Sequence, residues 1–198
     1  MAGQGTAMSE LLAALPEKRV IGDPPRSVSS ISGDSRRVAP GGCFVAVPGF
    51  KQDGLGFIPE GGGRGATVVV TEGEPVPGLS VAQVLVPSVR VSLARLAGAF
   101  YGHPSRQLTL VGITGTNGKT TTSYLLASIF EAAGVRCGRI GTVGYRIGTR
   151  EFEAARTTPE APDVQRMLRE MVADGCGACV MEVSSHALTL RRADRLQF

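Results

Sequence analysis

Tryptophan is absent from the 198 residues, aromatic residues make up only 5%, and histidine occurs twice. Without a basic run interleaved with aromatics, a nucleic-acid surface built on stacking is excluded as the leading reading. Charge of one sign is also scarce. The 21 basic residues barely outnumber the 17 acidic ones, and arginines adjoin only at Arg36-Arg37 and Arg191-Arg192. Such a modest positive bias suits phosphorylated small molecules. No apolar run approaches the ~20 residues that span a bilayer. The first fifteen residues lack the basic start and apolar core of a secretory leader. The expectation is therefore a cytoplasmic protein with reduced thiols, no membrane partner and no nucleic-acid partner. Cysteine is limited to Cys43, Cys137, Cys176 and Cys179. The Cys176-x-x-Cys179 spacing has no second pair and no nearby histidine, which makes it weak evidence for zinc. A redox pair is open, and small apolar residues opening a buried strand is the favoured reading.

Glycine, by contrast, is abundant at 27 residues, and 42% of the chain is apolar. Glycine-rich turns between short apolar runs suit an α/β protein. Residues 1–6 read as disordered, and Ser9 reads as the cap of a helix over 10–15. Strands are expected at 28–31, 43–47, 66–71 and 81–86, with a short helix at 57–62. Ser88 would cap a helix reaching about residue 101, with Val91, Leu93, Leu96, Ala97 and Phe100 as its apolar stripe. Gly102-His103-Pro104-Ser105 breaks the pattern, so the boundary between two domains, 1–104 and 105–198, is placed there. His103 reads as a linker residue. The second domain reads as strand 108–114, helix 118–133, strand 137–140, helix 163–174 and strand 178–183. Repeated strand–loop–helix units of this kind predict a parallel sheet. The last residues, 196–198, read as the start of a further strand.

Between the strand at 108–114 and its helix lies Gly115-Thr116-Asn117-Gly118-Lys119-Thr120-Thr121. Glycines here permit a tight turn whose backbone amides converge on phosphate oxygens, and the helix adds its positive N-terminal end. Lys119 supplies a mobile charge for the β- and γ-phosphates, and Thr120 a hydroxyl for Mg²⁺. The general pattern G-x-x-x-x-G-K-[ST] is not matched literally. Its first glycine would fall at Ile113, between Gly112 and Gly115.

G-T-N-G-K-T-T resembles the phosphate loop of the Mur ligases, ATP-dependent amide-forming enzymes of peptidoglycan synthesis, and of folylpolyglutamate synthetases. Gly33-Asp34-Ser35-Arg36, followed by Pro40-Gly41-Gly42-Cys43-Phe44-Val45-Ala46, resembles the uridine-binding domain of the Mur ligases. Thr157-Thr158-Pro159 and Met181-Glu182-Val183-Ser184-Ser185-His186-Ala187-Leu188 are most similar to the MurE type. The resemblance covers nearly the whole chain after Glu10. It implies a small α/β uridine-binding domain followed by an incomplete parallel-sheet ATPase domain. It further implies that Gly33 and Ser35, with Phe50, Lys51 and Gln52, contact the UDP part of the substrate. Thr157, Thr158, Ser184 and Arg192 would contact the rest of it, Arg192 being suited to a bidentate anionic contact. Glu182 would join Thr120 in holding Mg²⁺ through a hard oxygen. Leu190 departs from the family, where a glutamine is frequent.

Each of these has a plainer reading. Ser35-Arg36 also forms turns, Thr157-Thr158 also opens helices, and Glu182 alone is also a surface charge. A hydrolase centred on Ser184-Ser185-His186 is disfavoured because no G-x-S-x-G surrounds the serine. The implied reaction adds the third peptide residue, diaminopimelate or lysine, to UDP-N-acetylmuramoyl-L-alanyl-D-glutamate through an acyl phosphate. Lys119, Thr120 and Glu182 would be the catalytic residues. No general base for the amine is evident. Further metal ligands, a carbamylated lysine and an amino-acid-binding domain are expected of the family and are absent from these residues. The expectation is therefore an N-terminal piece of a monomeric enzyme, inactive alone. Other Mur-type ligases, a folylpolyglutamate synthetase-like enzyme and a non-catalytic nucleotide-binding module stay open as alternatives.

Overall fold

A computed structural model describes residues 5–48, 56 and 58–198. The chain divides into two compact units, Met1–Phe100 and Tyr101–Phe198. The division precedes the Gly102–Ser105 break, because the helix expected to run to 101 ends at Phe100 and the break itself belongs to the second unit.

In the first unit, β2 (Arg19–Ile21), β4 (Ile31–Ser32), β5 (Gly42–Val45), β6 (Ala66–Thr71) and β7 (Ala82–Leu85) form one sheet in the order β2-β7-β6-β5-β4. All neighbours are parallel except β2, which runs antiparallel along β7. Strand alternation assigns the two faces. Cys43, Val45, Val68, Val70 and Val84 face helices α1 (Met8–Ala13) and α3 (Val89–Phe100). Phe44, Ala46 and Val69 pack with Ile58 of α2 (Ile58–Gly63) on the other face. Burying each of Leu11, Leu96 and Val89 contributes about 1.5–3 kcal/mol.

Several sequence expectations change here. Helix α1 starts at Met8, with Ala7 at its cap and no side-chain cap, so Ser9 lies inside the first turn. Burial of Met8 and Leu11 and the bond from Met8 N to Arg26 O set that start. Thr6 is paired, in β1 (Thr6–Ala7), with β3 (Ser27–Val28). The single strand expected at 28–31 is two, because the chain leaves β1 after Val28 and takes up β5 at Ile31. Strand β2 was not expected from sequence, because Val20-Ile21 is too short a run to mark a strand and its residues are exposed or half-buried.

The second unit holds β8 (Thr109–Ile113), β9 (Cys137–Ile140), β10 (Gly144–Ile147), β11 (Arg150–Glu153) and β12 (Ala178–Glu182), ordered β11-β10-β9-β12-β8. Its sheet is mixed, which corrects the parallel sheet expected from sequence. Strands β9, β12 and β8 are parallel, but β10 and β11 form an antiparallel hairpin beside β9. The hairpin forms because Tyr145 and Ile147 alternate inward and join the core beneath α5 (Ala161–Ala173). Helix α4 (Lys119–Ala132) covers the opposite face through Ala127 against Cys137, Ala178 and Val180. A short helix, α6 (Ser185–Thr189), follows β12. Residues 196–198 form no strand. Gln197 N instead donates to Ser105 Oγ at 3.2 Å, and the Phe198 ring lies over Gly112.

Candidate functional site

The parallel strands β8 and β12 deliver two chain segments to the same end of the sheet, where Ile113 pairs with Glu182. After β8 the chain turns through residues 114–118, all exposed, into α4. Gly115, at φ 134°, and Gly118, at φ 80°, adopt backbone conformations that a β-carbon opposes. Gly118 is the N-cap of α4 and provides no side-chain cap, so the first helical amides face the loop. Fourteen residues of helix then set a positive end against it. Lys119 folds back over the loop, its Nζ donating to Gly115 O at 2.8 Å and Thr116 O at 3.4 Å.

Glu182 ends β12 and is 1% exposed. A carboxylate so buried requires donors, and it has them. Thr120 Oγ1 donates to Oε2 at 3.1 Å, Thr142 Oγ1 to Oε2 at 3.0 Å, and Thr142 N to Oε1 at 3.1 Å. Space for the carboxylate comes from Gly141, where a β-carbon would stand 2.4 Å from Glu182 Oε1. Gly141 and Thr142 were missed in the sequence. Their only signal is a Gly-Thr pair directly after a strand.

The segment 154–160 is tied to the same place. Thr142 Oγ1 and Thr157 Oγ1 are 3.0 Å apart. Thr158, 1% exposed, donates its hydroxyl to Glu182 O at 2.9 Å and accepts from Ser184 N at 3.1 Å. Arg156 N donates to Tyr145 Oη at 3.1 Å. Arg192 is buried, with Nη1 donating to Thr158 O at 3.2 Å and Nη2 paired with Glu160 Oε1 at 2.7 Å. Ser184 caps α6, its Oγ accepting from Ala187 N at 3.1 Å.

Thr120, Glu182, Thr157, Thr158, Ser184 and Arg192 thus form one hydrogen-bonded cluster, joined through Thr142. Within it, the side chains of Thr158, Ser184 and Arg192 are engaged by other protein groups. Leu190 is the C-cap of α6. In the first unit, Gly33 is closely packed. A β-carbon there would stand 3.0 Å from Leu93 Cδ2. Asp34 accepts from Arg36 N at 3.0 Å, Nε at 2.9 Å and Nη2 at 2.7 Å. That guanidinium holds the Asp34 carboxyl below its ordinary value. Ser35 opens the following 3₁₀ turn and is buried. Phe50, Lys51 and Gln52 lie outside the described residues.

The four cysteines are free and buried. Burial pushes the Cys43 thiol up to about 12 and the Cys137 thiol to about 11, and raises Cys179 as well. Among the described residues no cluster of three or more histidine, cysteine, aspartate or glutamate side chains able to hold a metal ion occurs. No helix among them is long and apolar enough to cross a membrane.

Two family profiles match the chain. The Mur ligase family catalytic domain matches residues 27–101, and the Mur ligase middle domain matches residues 113–198. The chain belongs to the Mur ligase family. A UDP-N-acetylmuramyl-tripeptide synthetase of Roseiflexus sp. (strain RS-1) is 47% identical over 167 residues, covering 83% of this chain and 33% of the relative. A UDP-N-acetylmuramoyl-L-alanyl-D-glutamate--2,6-diaminopimelate ligase of Chlorobaculum tepidum is 46% identical over 98% of this chain and 39% of its own length. The chain therefore spans little more than a third of these relatives. A solved structure of a ligase of the latter name superposes with a TM-score of 0.77 at 26% identity, covering 97% of this chain and 38% of that one. The α/β fold of this chain, with its mixed sheets, is thus similar to that of a solved Mur ligase.

Proposed function

We propose that this chain supplies the nucleotide-binding and substrate-activating part of an ATP-dependent ligase that extends UDP-N-acetylmuramoyl-L-alanyl-D-glutamate by one amino acid. The observation that carries the reading is the contact between Thr120, at the start of the phosphate-loop helix, and the buried Glu182 carboxylate. A hydroxyl and a carboxylate are hard oxygen donors of the kind that Mg²⁺ takes alongside nucleotide phosphates and water. Thr120 and Glu182 would hold that ion, and when bound it neutralises phosphate charge.

The loop amides and the N-terminus of α4 bind the β- and γ-phosphates. Lys119 turns from the Gly115 and Thr116 carbonyls to the phosphate oxygens and offsets the charge that develops on them. The D-glutamyl carboxylate attacks the γ-phosphorus, ADP leaves, and an acyl phosphate forms. The incoming amine then attacks the acyl carbon, loses a proton, and expels inorganic phosphate as the amide closes. Thr157, at the edge of the cluster, contacts the substrate. Arg192 acts beside it by holding Thr158 and Glu160, and Ser184 by shaping the turn into α6. Gly33 and Ser35, with Phe50, Lys51 and Gln52, take the uridine end. The amino acid is diaminopimelate, with lysine as the second choice. The enzyme works in the cytoplasm as a monomer.

Calorimetric titration of the chain with Mg·ATP tests the reading. Binding that Lys119→Ala weakens at least tenfold is expected. No binding by the unaltered chain, or binding indifferent to Lys119, overturns it. In the ligase completed to the length of its relatives, Lys119→Ala should abolish phosphate release dependent on the muramoyl dipeptide and the amino acid.

A further inference from the structure

The hydrogen-bond chain through Thr142 has a direction. Its hydroxyl lies 3.0 Å from Glu182 Oε2 and 3.0 Å from Thr157 Oγ1. A hydroxyl owns one proton and two acceptor lone pairs. Glu182 Oε2 accepts from the Thr120 hydroxyl and from Thr142, and Oε1 accepts from Thr142 N, so the carboxylate gives nothing back. Were Thr142 to point its proton at Thr157, its oxygen would face Glu182 Oε2 at 3.0 Å with lone pairs on both sides. That contact is repulsive in a site where the acid is 1% exposed. The proton of Thr142 therefore belongs to the carboxylate. Thr157 must donate its own proton to Thr142.

We propose that Thr142 is a positioning residue that orients the Glu182 carboxylate and fixes Thr157 as a hydrogen-bond acceptor, so that Thr157 receives an N–H or O–H group of the substrate. The inference rests on the reading of Glu182 and Thr157 given above, and it sharpens it. A threonine at 157 is chemically able to meet a carboxylate or an amide. With its proton committed to Thr142, only lone pairs face outward. The group it selects is then an amide N–H or a hydroxyl, and the substrate's carboxylate is left to other donors. The same order serves Thr120. Its proton is directed at Glu182 Oε2, which leaves its lone pairs for a cation. Two hydroxyls on separate segments, α4 and the turn after β9, are polarised by one carboxylate.

Neutron diffraction from deuterated crystals of the chain tests the order directly. The deuteron between the two threonines is expected on Thr157 Oγ1, pointing at Thr142. A deuteron on Thr142 Oγ1 pointing at Thr157 overturns the proposal. A solution measurement tests the positioning role, using ADP with Mg²⁺ and ADP with chelator as probes. Thr142→Val should cost about tenfold in Mg·ADP affinity while leaving metal-free ADP affinity within about twofold. Thr142→Ser should restore the metal-dependent gain, with thermal melts confirming that both variants fold. Equal losses with and without Mg²⁺, or no loss, overturn the role. Failure of the nucleotide reading itself would look different, as the unaltered chain would then bind no ADP while the deuteron order could still be read.

Discussion

Helices α4 and α5 flank opposite faces of one sheet and are built on different principles. Helix α5 buries Val164, Met167, Leu168 and Met171 and so is held by packing. Helix α4 buries only Ser123 and Ala127 fully, while Tyr124, Leu125 and Ile129 remain 43%, 61% and 64% exposed. Large side chains hold a helix at arm's length from its sheet; small ones let it lie close. The close seat of α4 brings its first turn, with Lys119 and Thr120, against the ends of β8 and β12. Packing by large side chains is concentrated beneath one face of the sheet, and the proposed ligand chemistry at the end of the other.

The largest effect expected from this contrast is at Leu168. Leu168→Ala should lower unfolding free energy by about 2–5 kcal/mol in chemical denaturation. A loss comparable to that at Leu125 would break the contrast. Gly141→Ala comes next. Its methyl group must displace Glu182 or the turn, so a loss of about 1–3 kcal/mol is expected, together with weaker Mg·ADP binding. A variant bound and folded like the parent would show that the carboxylate has room to spare. Leu125→Ala, on the open side of α4, should change stability by less than about 0.5 kcal/mol.

The smallest effects lie in the first unit and in the thiols. Asp34 titrates below its ordinary value of 3.8 because Arg36 binds it. Its contribution to stability is present above that value and is lost as pH falls through the lower folded one. The stability difference between parent and Asp34→Asn should therefore be small at neutral pH and vanish in acid. A difference that grows on acidification contradicts the assignment. The raised thiols should resist dithionitrobenzoate at about pH 8 until denaturant is added. Fast reaction of Cys137 in the folded chain would show that the core beneath α4 opens, and fast reaction of Cys179 that the core beneath α5 does.

Local patterns were the legible part of this sequence. Strand β8, the glycine turn and helix α4 follow one another in the chain, so composition and periodicity locate them within a residue or two. The hairpin β10–β11 was not legible, since β10 offers only two inward apolar residues, Tyr145 and Ile147, and β11 is exposed throughout. Thr142 was beyond sequence reasoning for a different reason. It meets Glu182 across 40 residues, and only the parallel pairing of β9 with β12 closes that gap. Thr158 and Arg192 show the converse difficulty. Their residue types signal ligand binding, yet burial turns their polar groups onto the backbone and Glu160.

On the proposed reading, the lysine folded over its own loop changes what nucleotide binding would mean energetically. With Lys119 already bonded to the carbonyls of Gly115 and Thr116, an arriving phosphate would meet an ammonium that already has protein partners. It would take over a donor that the loop had been holding. The reaction is an exchange of partners, and its free energy is the difference between two bonded states. The resting loop is thereby held by the very group that the proposed ligand would claim. Neutralising Lys119 would consequently remove the ligand's partner and, in the same stroke, loosen the cradle that waits for it.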